Sequence, residues 1–394
     1  MKLAHLADLH LGFRQYTRQT PQGINQREAD VALAFRRLLD DVVEQRPDIV
    51  LIAGDLFHSV RPTNAAILDS FHRLRQFRVR LPDAPIVIVA GNHDTPRSSE
   101  TGTILRLFEA VDGVHVVAHE PQRLVFDALE LAVLCVPNLA WSMLPRPSVD
   151  REPGIRRNVL VTHREVEGVL PYEAAAAVGY GGQPIRRTDL RPDAFDYVAL
   201  GHYHVVTQVD RNVWYAGAPE YVTTNPWSES RERGAARRAG EKGWLLVEVG
   251  ARLTVRFRPL PPARRVIDLD PIEGTGRAAA DLNRAIADAV AAVPDGIDDQ
   301  IVRQVVHNVP RITARDLDHA AIRALKTRAL HYRLDLRRPE ASREPGLGPA
   351  TRRRSLPEIV DEYLRARDLP PGVARERLLA LGEQYMAEAE SGDA

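Results

Sequence analysis

Short apolar runs rich in β-branched residues occupy positions 3–7, 49–53, 86–90 and 159–162, each bounded by turn-forming residues. Runs of this length and composition read as strands buried on both faces. Between them the period changes. Residues 27–44 carry Val31, Phe35, Leu38, Leu39 and Val42 at helical spacing, and 65–77 does the same with Ile67, Leu68, Phe71 and Leu74. Strands alternating with helices predict a layered α/β arrangement. Further apolar runs at 124–137, 197–200, 213–216 and 244–249 have fewer helices between them, which predicts a second sheet packed on the first.

The segment 228–243, dense in charge and small residues, reads as an exposed loop. From 264 the pattern changes. A strand at 266–269 leads to a helix with Leu282, Ile286 and Val290 on one stripe. A strand at 301–309 then precedes a helix at 314–329, and a last strand alternates Leu330, Tyr332, Leu334 and Leu336. That is a compact βαβαβ unit of its own. Residues 338–354, rich in Pro, Gly and Arg, read as a linker. In the tail, Ser355 and Glu358 form a capping-box pattern with Pro357 in the first turn. Ile359, Val360, Tyr363 and Leu364 make an apolar stripe. Pro370, Pro371 and Gly372 break the chain before a second helix with Leu378, Leu379, Tyr385 and Met386. The predicted organisation is therefore a large α/β domain at 1–262, a small α+β domain at 263–337, a linker at 338–354 and a helix-loop-helix at 355–390. Two such amphipathic helices suit docking on a partner somewhat better than folding back on the body.

Composition narrows the classes. Hydrophobic residues make up 44% and charged residues 27% of the 394 positions, a balance that excludes collagen-like and wholly disordered chains. No stretch approaches the roughly 18 consecutive apolar residues a membrane span needs. The opening MKLAHLADLHLG puts Asp8 and two histidines where a signal peptide requires an apolar run, so a cytoplasmic location is expected. Cys135 is the only cysteine, so neither an internal disulfide nor a thiolate metal site can form. Lys and Arg total 53, as do Asp and Glu. No global basic field therefore attracts nucleic acid, although local patches or bound cations can supply one.

The candidate chemistry sits where strands end. The run at 3–7 leads into Asp8-Leu9-His10, the run at 49–53 into Gly54-Asp55, and the run at 86–90 into Gly91-Asn92-His93-Asp94. The run at 159–162 leads into His163, and the one at 197–200 into Gly201-His202-Tyr203-His204. Ligands in open α/β sheets bind outside the carboxyl ends of strands. In an extended chain, residues i and i+2 point the same way, so Asp8 with His10, and His202 with His204, can close on one site. Any one of these features alone reads as structural. Five in order, each at a predicted strand end, point to one constellation. Imidazole and carboxylate without thiolate suit Mn, Fe or Zn better than Ca, and a two-metal centre needs a bridging carboxylate, for which Asp55 is central. His5, inside the first strand, reads as a core histidine. His72, His115, His119, His307, His319 and His331 have no motif context, and Trp141, Trp227 and Trp244 read as core or interface.

These motifs, DLH at Asp8, GD at Gly54, GNHD at Gly91, His163 and GHYH at Gly201, resemble in order those of the calcineurin-like metallophosphoesterases. The flanks ADLHLG, GDLFH and DYVALGHYH followed by YAGAPE are similar to the DNA double-strand-break repair nuclease branch, which includes the bacterial SbcD type. The resemblance covers roughly residues 1–225. It implies two packed mixed β-sheets flanked by helices, followed by a small α+β capping domain and a C-terminal helical pair that binds an ATPase. It also implies that Asp8, His10, Asp55 and His204 hold one metal, and that Asp55, Asn92, His163 and His202 hold the other. His93 corresponds to the catalytic histidine, His58 to a histidine touching DNA at the site, and Asp94 to a residue orienting a ligand or His93. Two Mn²⁺ are implied, with Mg²⁺, Fe²⁺ or Zn²⁺ as alternatives. The implied partners are DNA ends, an SMC-like ABC ATPase of the SbcC type and a second copy of the chain. Arg14, Arg18, Arg61 and Arg97 follow motif strands and are candidate phosphate contacts. Three positions depart from the pattern: Val205-Val206 where Lys-Pro is frequent, Thr162 before the motif histidine, and Ala218 where Ser is frequent. None removes a ligand.

Three functions compete at this stage. The leading one is a metal-dependent DNA nuclease, with 3′-to-5′ exonuclease and single-strand endonuclease activity, processing ends in double-strand-break repair within an SbcCD-like, nucleoid-associated complex. The second is a phosphoesterase for a small nucleotide or cyclic nucleotide, for which a capping unit and helical tail have no evident use. The third is a mainly structural subunit tethering DNA ends, against which the complete ligand set argues.

Overall fold

The computed structural model describes residues 1–96, 102–169, 183–339, 356–366 and 374–391. Met1–Pro339 packs as one unit and Glu340–Ala394 as another. The order begins β1 (Lys2–Leu6), α1 (Gln26–Gln45), β2 (Ile49–Ala53), α2 (Asn64–Arg80), β3 (Ile86–Val89) and β4 (Val114–Val117). It continues with β5 (Gln122–Phe126), β6 (Leu131–Val136), β7 (Arg157–His163), β8 (Tyr197–Gly201), β9 (Thr207–Asp210) and β10 (Val213–Tyr215). A short helix α3 (Pro226–Glu229) precedes β11 (Lys242–Val249) and β12 (Leu253–Leu260).

These strands make two six-stranded sheets, ordered β12-β11-β1-β2-β3-β4 and β5-β6-β7-β8-β10-β9. In the first, β1 to β4 run parallel and β11 and β12 are antiparallel additions at one edge. In the second, β6, β7, β8 and β10 are parallel, with antiparallel β5 and β9 at the edges. The two mixed sheets flanked by helices are the metallophosphoesterase arrangement expected from the motifs. Alternation along each strand explains the layering. Leu3, Leu51, Val87 and Val89 face Val133, Cys135, Val159 and Ala199 between the sheets. Ala4, Leu6, Ile52 and Ile88 face outward onto Val31, Phe35 and Leu38 of α1 and Leu74 and Phe77 of α2. Both faces are covered, so these strands read as unbroken apolar runs. Asn25 and Thr63 start α1 and α2, their side chains accepting from the N–H groups of Arg27 and Ala66.

A third sheet follows. It comprises β13 (Val266–Glu273), β14 (Ile301–His307) and β15 (His331–Leu336), all parallel, with helices α4 (Ala279–Ala291), α5 (Arg311–Arg315) and α6 (His319–Arg328). It has its own apolar clusters around Val302 and Ile286. It meets the sandwich where Tyr16 stacks on His331 at 4.0 Å and Trp227 packs against Ile301 and Leu330.

Several elements differ from their sequence expectation. The run 124–137 is a hairpin, because Glu130 takes a left-handed conformation (φ 48°) between β5 and β6. The helix expected over 314–329 is two, because the Asp318 carboxylate accepts from the N–H groups of Ala320 and Ala321 and starts α6 afresh. The charged segment 228–243 is not wholly exposed: Glu229, Ala236 and Lys242 are buried. His5 is the core histidine expected, bonded to the Tyr197 hydroxyl and the Leu200 carbonyl.

The second unit contains α7 (Leu356–Ala366) and α8 (Arg375–Ser391). They approach closely at Gly382, where a Cβ would lie 2.9 Å from Leu364 Cδ1. Arg375 donates to the Leu364 and Arg365 carbonyls, closing the end of α7. The expected Ser355–Glu358 capping box, the Pro370-Pro371-Gly372 break and most of the 338–354 linker lie outside the described residues. Among the described residues no helix is long and apolar enough to cross a membrane.

Candidate metal centre

The carboxyl ends of β1, β2 and β3 in one sheet and of β7 and β8 in the other deliver every motif residue to a single place. The exits of β1 and β2 stay zipped beyond the strands: Asp8, His10 and Leu11 donate to the carbonyls of Gly54, Asp55 and Leu56. His163 ends β7 opposite Gly201 of β8. The side chains converge through turns and not through an extended chain, which corrects the i, i+2 expectation. Asp8 (φ 54°), His10 (φ 46°), Asp55 (φ 52°) and His202 (φ 111°) all have positive φ. Such conformations cost about 1–3 kcal/mol each for residues with side chains, and they concentrate at functional sites.

Asp55 is the hub. Its Oδ2 lies 3.3 Å from His163 Nε2 and 3.6 Å from His10 Nε2, while its Oδ1 accepts the His93 backbone N–H at 2.9 Å. On one side, His10 Nε2 faces His204 Nε2 at 3.2 Å. Ligand atoms of Asp8, His10 and His204 lie within 4.8 Å of one another. On the other side, Asn92 Oδ1 sits 2.9 Å from His163 Nε2 and 3.1 Å from His202 Nδ1. Asp8, Asp55 and His163 form a second group within 4.8 Å. Both Asp8 oxygens accept the His202 backbone N–H, at 3.0 and 3.1 Å. The structure thus brings together all seven proposed ligands; Asp8 belongs to both compact groups, and Asp55 faces His10 on one side and His163 on the other.

His10, His58 and His93 form a third cluster of ring nitrogens within 4.8 Å. His93 Nδ1 is 2.7 Å from the His58 carbonyl, and its ring is 4.8 Å from that of His10. Asp94 is fully buried and accepts from the N–H groups of Leu56, Phe57 and Gly91, at 3.2, 3.0 and 3.1 Å. It locks the chain after Asp55 to the turn carrying Asn92 and His93. The arginines separate. Arg14 is exposed beside Glu28, and Arg61 is exposed. Arg18 is engaged by Asp299 and the carbonyls of Thr327 and Ala329 on the third-sheet unit. Arg97 lies outside the described residues.

The electrostatics suit cation binding. Burial pushes the imidazoles of His10 and His204 well down, and His202 down to about 3, helped by the neighbouring His163. Their nitrogens are therefore neutral donors near pH 7. Burial also opposes charge on Asp55 and His163, but their mutual attraction wins. The carboxyl of Asp55 is held well below its usual range and His163 is raised to about 9. Burial raises Asp8 against the pull of His163. The donor set of two carboxylates, four imidazoles and one amide oxygen fits two divalent first-row ions. To ligate, His163 must lose the proton that Asp55 helps it keep. Mn²⁺ binding is therefore expected to tighten by up to about tenfold per pH unit from 6 towards 9 and to release at least one proton. Calorimetric titration in two buffers of different ionisation enthalpy reads both; pH-independent affinity would contradict the His163 assignment.

Lys242 carries no motif context, yet it is buried and its Nζ donates to the His204 carbonyl at 3.2 Å. The only signal in the sequence is a lysine placed where a charged run turns into the apolar strand GWLLV.

The model of the calcineurin-like phosphoesterase family matches residues 1–206, and the chain belongs to that family. Among curated relatives it is similar to the DNA double-strand break repair protein Mre11 of Sulfurisphaera tokodaii, at 30% identity over 56% of this chain and 54% of that one. The protein of the same name from Methanococcus maripaludis is 26% identical over 59% and 61%. That from Saccharolobus solfataricus is 26% identical over 56% and 55%. The chain spans somewhat more than half the length of these relatives. Among solved structures, the Pseudomonas putida nuclease MPE matches 42% of this chain and 62% of that one, at 18% identity and a TM-score of 0.21, and carries no argument here.

Proposed function

We propose that the chain is a two-metal DNA nuclease acting at DNA ends in double-strand-break repair. The observation that carries the reading is the convergence of seven candidate ligands, Asp55 among them, with His93 beside them. Asp8, His10, Asp55 and His204 would hold one ion, and Asp55, Asn92, His163 and His202 the other, with Mn²⁺ the preferred species. When bound, the ions supply charge neutralisation at a phosphoryl group and an acidified water. The protein's own residues do the rest. Asp55 and Asp94 fix the turn on which His93 rides, through the His93 backbone N–H and the Gly91 N–H. His93 donates its Nδ1–H to the His58 carbonyl, which leaves Nε2 as the ring atom that, in the imidazolium form, would donate to a phosphoryl or leaving oxygen. Burial, reinforced by nearby His93, pushes the half-buried His58 down to about 4, so it meets substrate neutral, as a hydrogen-bonding and not an ionic contact.

The relatives named for double-strand break repair support DNA as the substrate. On this reading residues 1–262 are the nuclease domain, 263–337 a capping domain, and the helices beyond 355 the docking element for an SMC-like ATPase of the SbcC type. The exonuclease and single-strand endonuclease activities, a homodimer and a cytoplasmic, nucleoid-associated location belong to the same proposal.

Purified protein is expected to degrade end-labelled duplex and single-stranded DNA only with Mn²⁺ present. His93→Ala should lower kcat by about 10²–10⁴ while leaving metal content unchanged. Hydrolysis of a small phosphodiester ester without cleavage of DNA would favour a small-nucleotide phosphoesterase instead.

A further inference from the structure

Behind the proposed ligand His204 lies a buried lysine that is not itself among the proposed ligands. Lys242 opens β11 and is 2% exposed. Its ammonium donates to the His204 carbonyl at 3.2 Å, pairs with the Glu229 carboxylate and lies 4.7 Å from the centre of the Tyr221 ring. Glu229 is itself 5% exposed and accepts from the Thr223 hydroxyl at 3.1 Å. The same His204 carbonyl accepts the Ala218 N–H at 3.0 Å. The chain around it has no slack: a Cβ on Gly217 would lie 3.2 Å from that carbonyl oxygen and 2.7 Å from the Val206 nitrogen.

A buried ion pair is an expensive way to fill space, since apolar residues of similar volume hold a core as well or better. This one ends on the main chain of a residue whose imidazole must face His10 at 3.2 Å. We propose that Lys242 is a positioning residue for the metal centre: anchored by Glu229, its ammonium fixes the His204 backbone and so sets the affinity of the metal site that His204 serves. The inference rests on reading His204 as a ligand.

Two effects of Lys242 oppose each other, which makes the test sharp. A positive charge near a cation weakens its binding, so removing that charge without other consequence would tighten the site. Removing a positioning contact instead loosens it, typically by about 10–100-fold. The experiment pairs Lys242→Met with Glu229→Gln in one protein, so that no unpaired charge stays buried. It follows Mn²⁺ binding by electron paramagnetic resonance and the visible spectrum of the Co²⁺-loaded protein. The expected result is one of two sites weakened about 10–100-fold with an altered Co²⁺ spectrum, the other unchanged, and a metal-free melting temperature close to wild type. His204→Ala should weaken the same site. Unchanged or tighter binding of both ions in the double variant overturns the positioning role. Two intact sites in His204→Ala overturn the ligand assignment instead. If the double variant does not fold, Glu229→Gln alone releases the ammonium without removing it. It should weaken that same site severalfold, and an unchanged affinity there overturns the inference.

Discussion

Asp55→Asn is expected to abolish phosphodiester hydrolysis and to lower bound Mn²⁺ from two ions to one or none. Asp55 is 2% exposed and faces His10, His163 and the His93 backbone at once. Asparagine keeps the shape and still accepts the His93 N–H, so the turn survives and the change isolates charge. Loss of several kcal/mol of charge stabilisation corresponds to about 10³-fold or more in rate. A second consequence is separable from activity. Asp55 holds the proton on His163 against the cost of burial. In the metal-free Asp55→Asn variant His163 should titrate well below its wild-type value, which a histidine NMR titration reads. A variant that keeps two ions and normal turnover would remove Asp55 from the centre of the mechanism.

Much of this site was legible because parallel strands covered on both faces are written as unbroken apolar runs. The residue just past each run is then the residue at the sheet's carboxyl edge. Asp8, Asp55, Asn92, His163 and His202 were all found that way. The manner of their convergence was not legible. An extended exit predicts alternation, whereas positive φ at Asp8, His10, Asp55 and His202 turns these side chains inward, and such strain is held by tertiary hydrogen bonds that leave no local mark. Strands at the sheet edges were also hidden. β12 is only partly buried along its length, with Arg256 and Arg258 interleaved among its apolar residues, and β4 is four residues long. Lys242 was concealed for a third reason. Burial of a lysine is decided by Glu229 and the His204 carbonyl, which are distant in the sequence or on another element. Arg18 shows the converse. Proximity in sequence to a motif suggested a phosphate contact, whereas its partners on the third-sheet unit, far away in the chain, left no local mark.

The glycines test whether close packing, and not just ligand identity, makes the site. A Cβ at position 91 would lie 2.1 Å from Asp55 Oδ1 and 2.5 Å from the Asp55 nitrogen. The backbone at Gly91 is not in the left-handed region, so alanine does not meet that penalty there and the close contact decides the outcome. Asp55 cannot retreat, because its other oxygen faces His163 and its own carbonyl is held by the His10 N–H. Gly91→Ala should therefore move the carboxylate, overpack the site at a cost of about 1–3 kcal/mol, and reduce turnover by about 10² or more through misplacement on the order of 1 Å. Excess Mn²⁺ should not restore it, since a displaced ligand changes geometry as well as affinity. Gly23→Ala is the control. Gly23 has φ 79° but nothing within 4 Å of an added Cβ, so alanine there bears the backbone strain and leaves turnover at the wild-type level. Melting curves and steady-state rates on both variants separate the two effects. If Gly91→Ala turned over normally, the Asp55 carboxylate would have room to move that the structure does not give it, and its proposed bridging role would need to be redrawn.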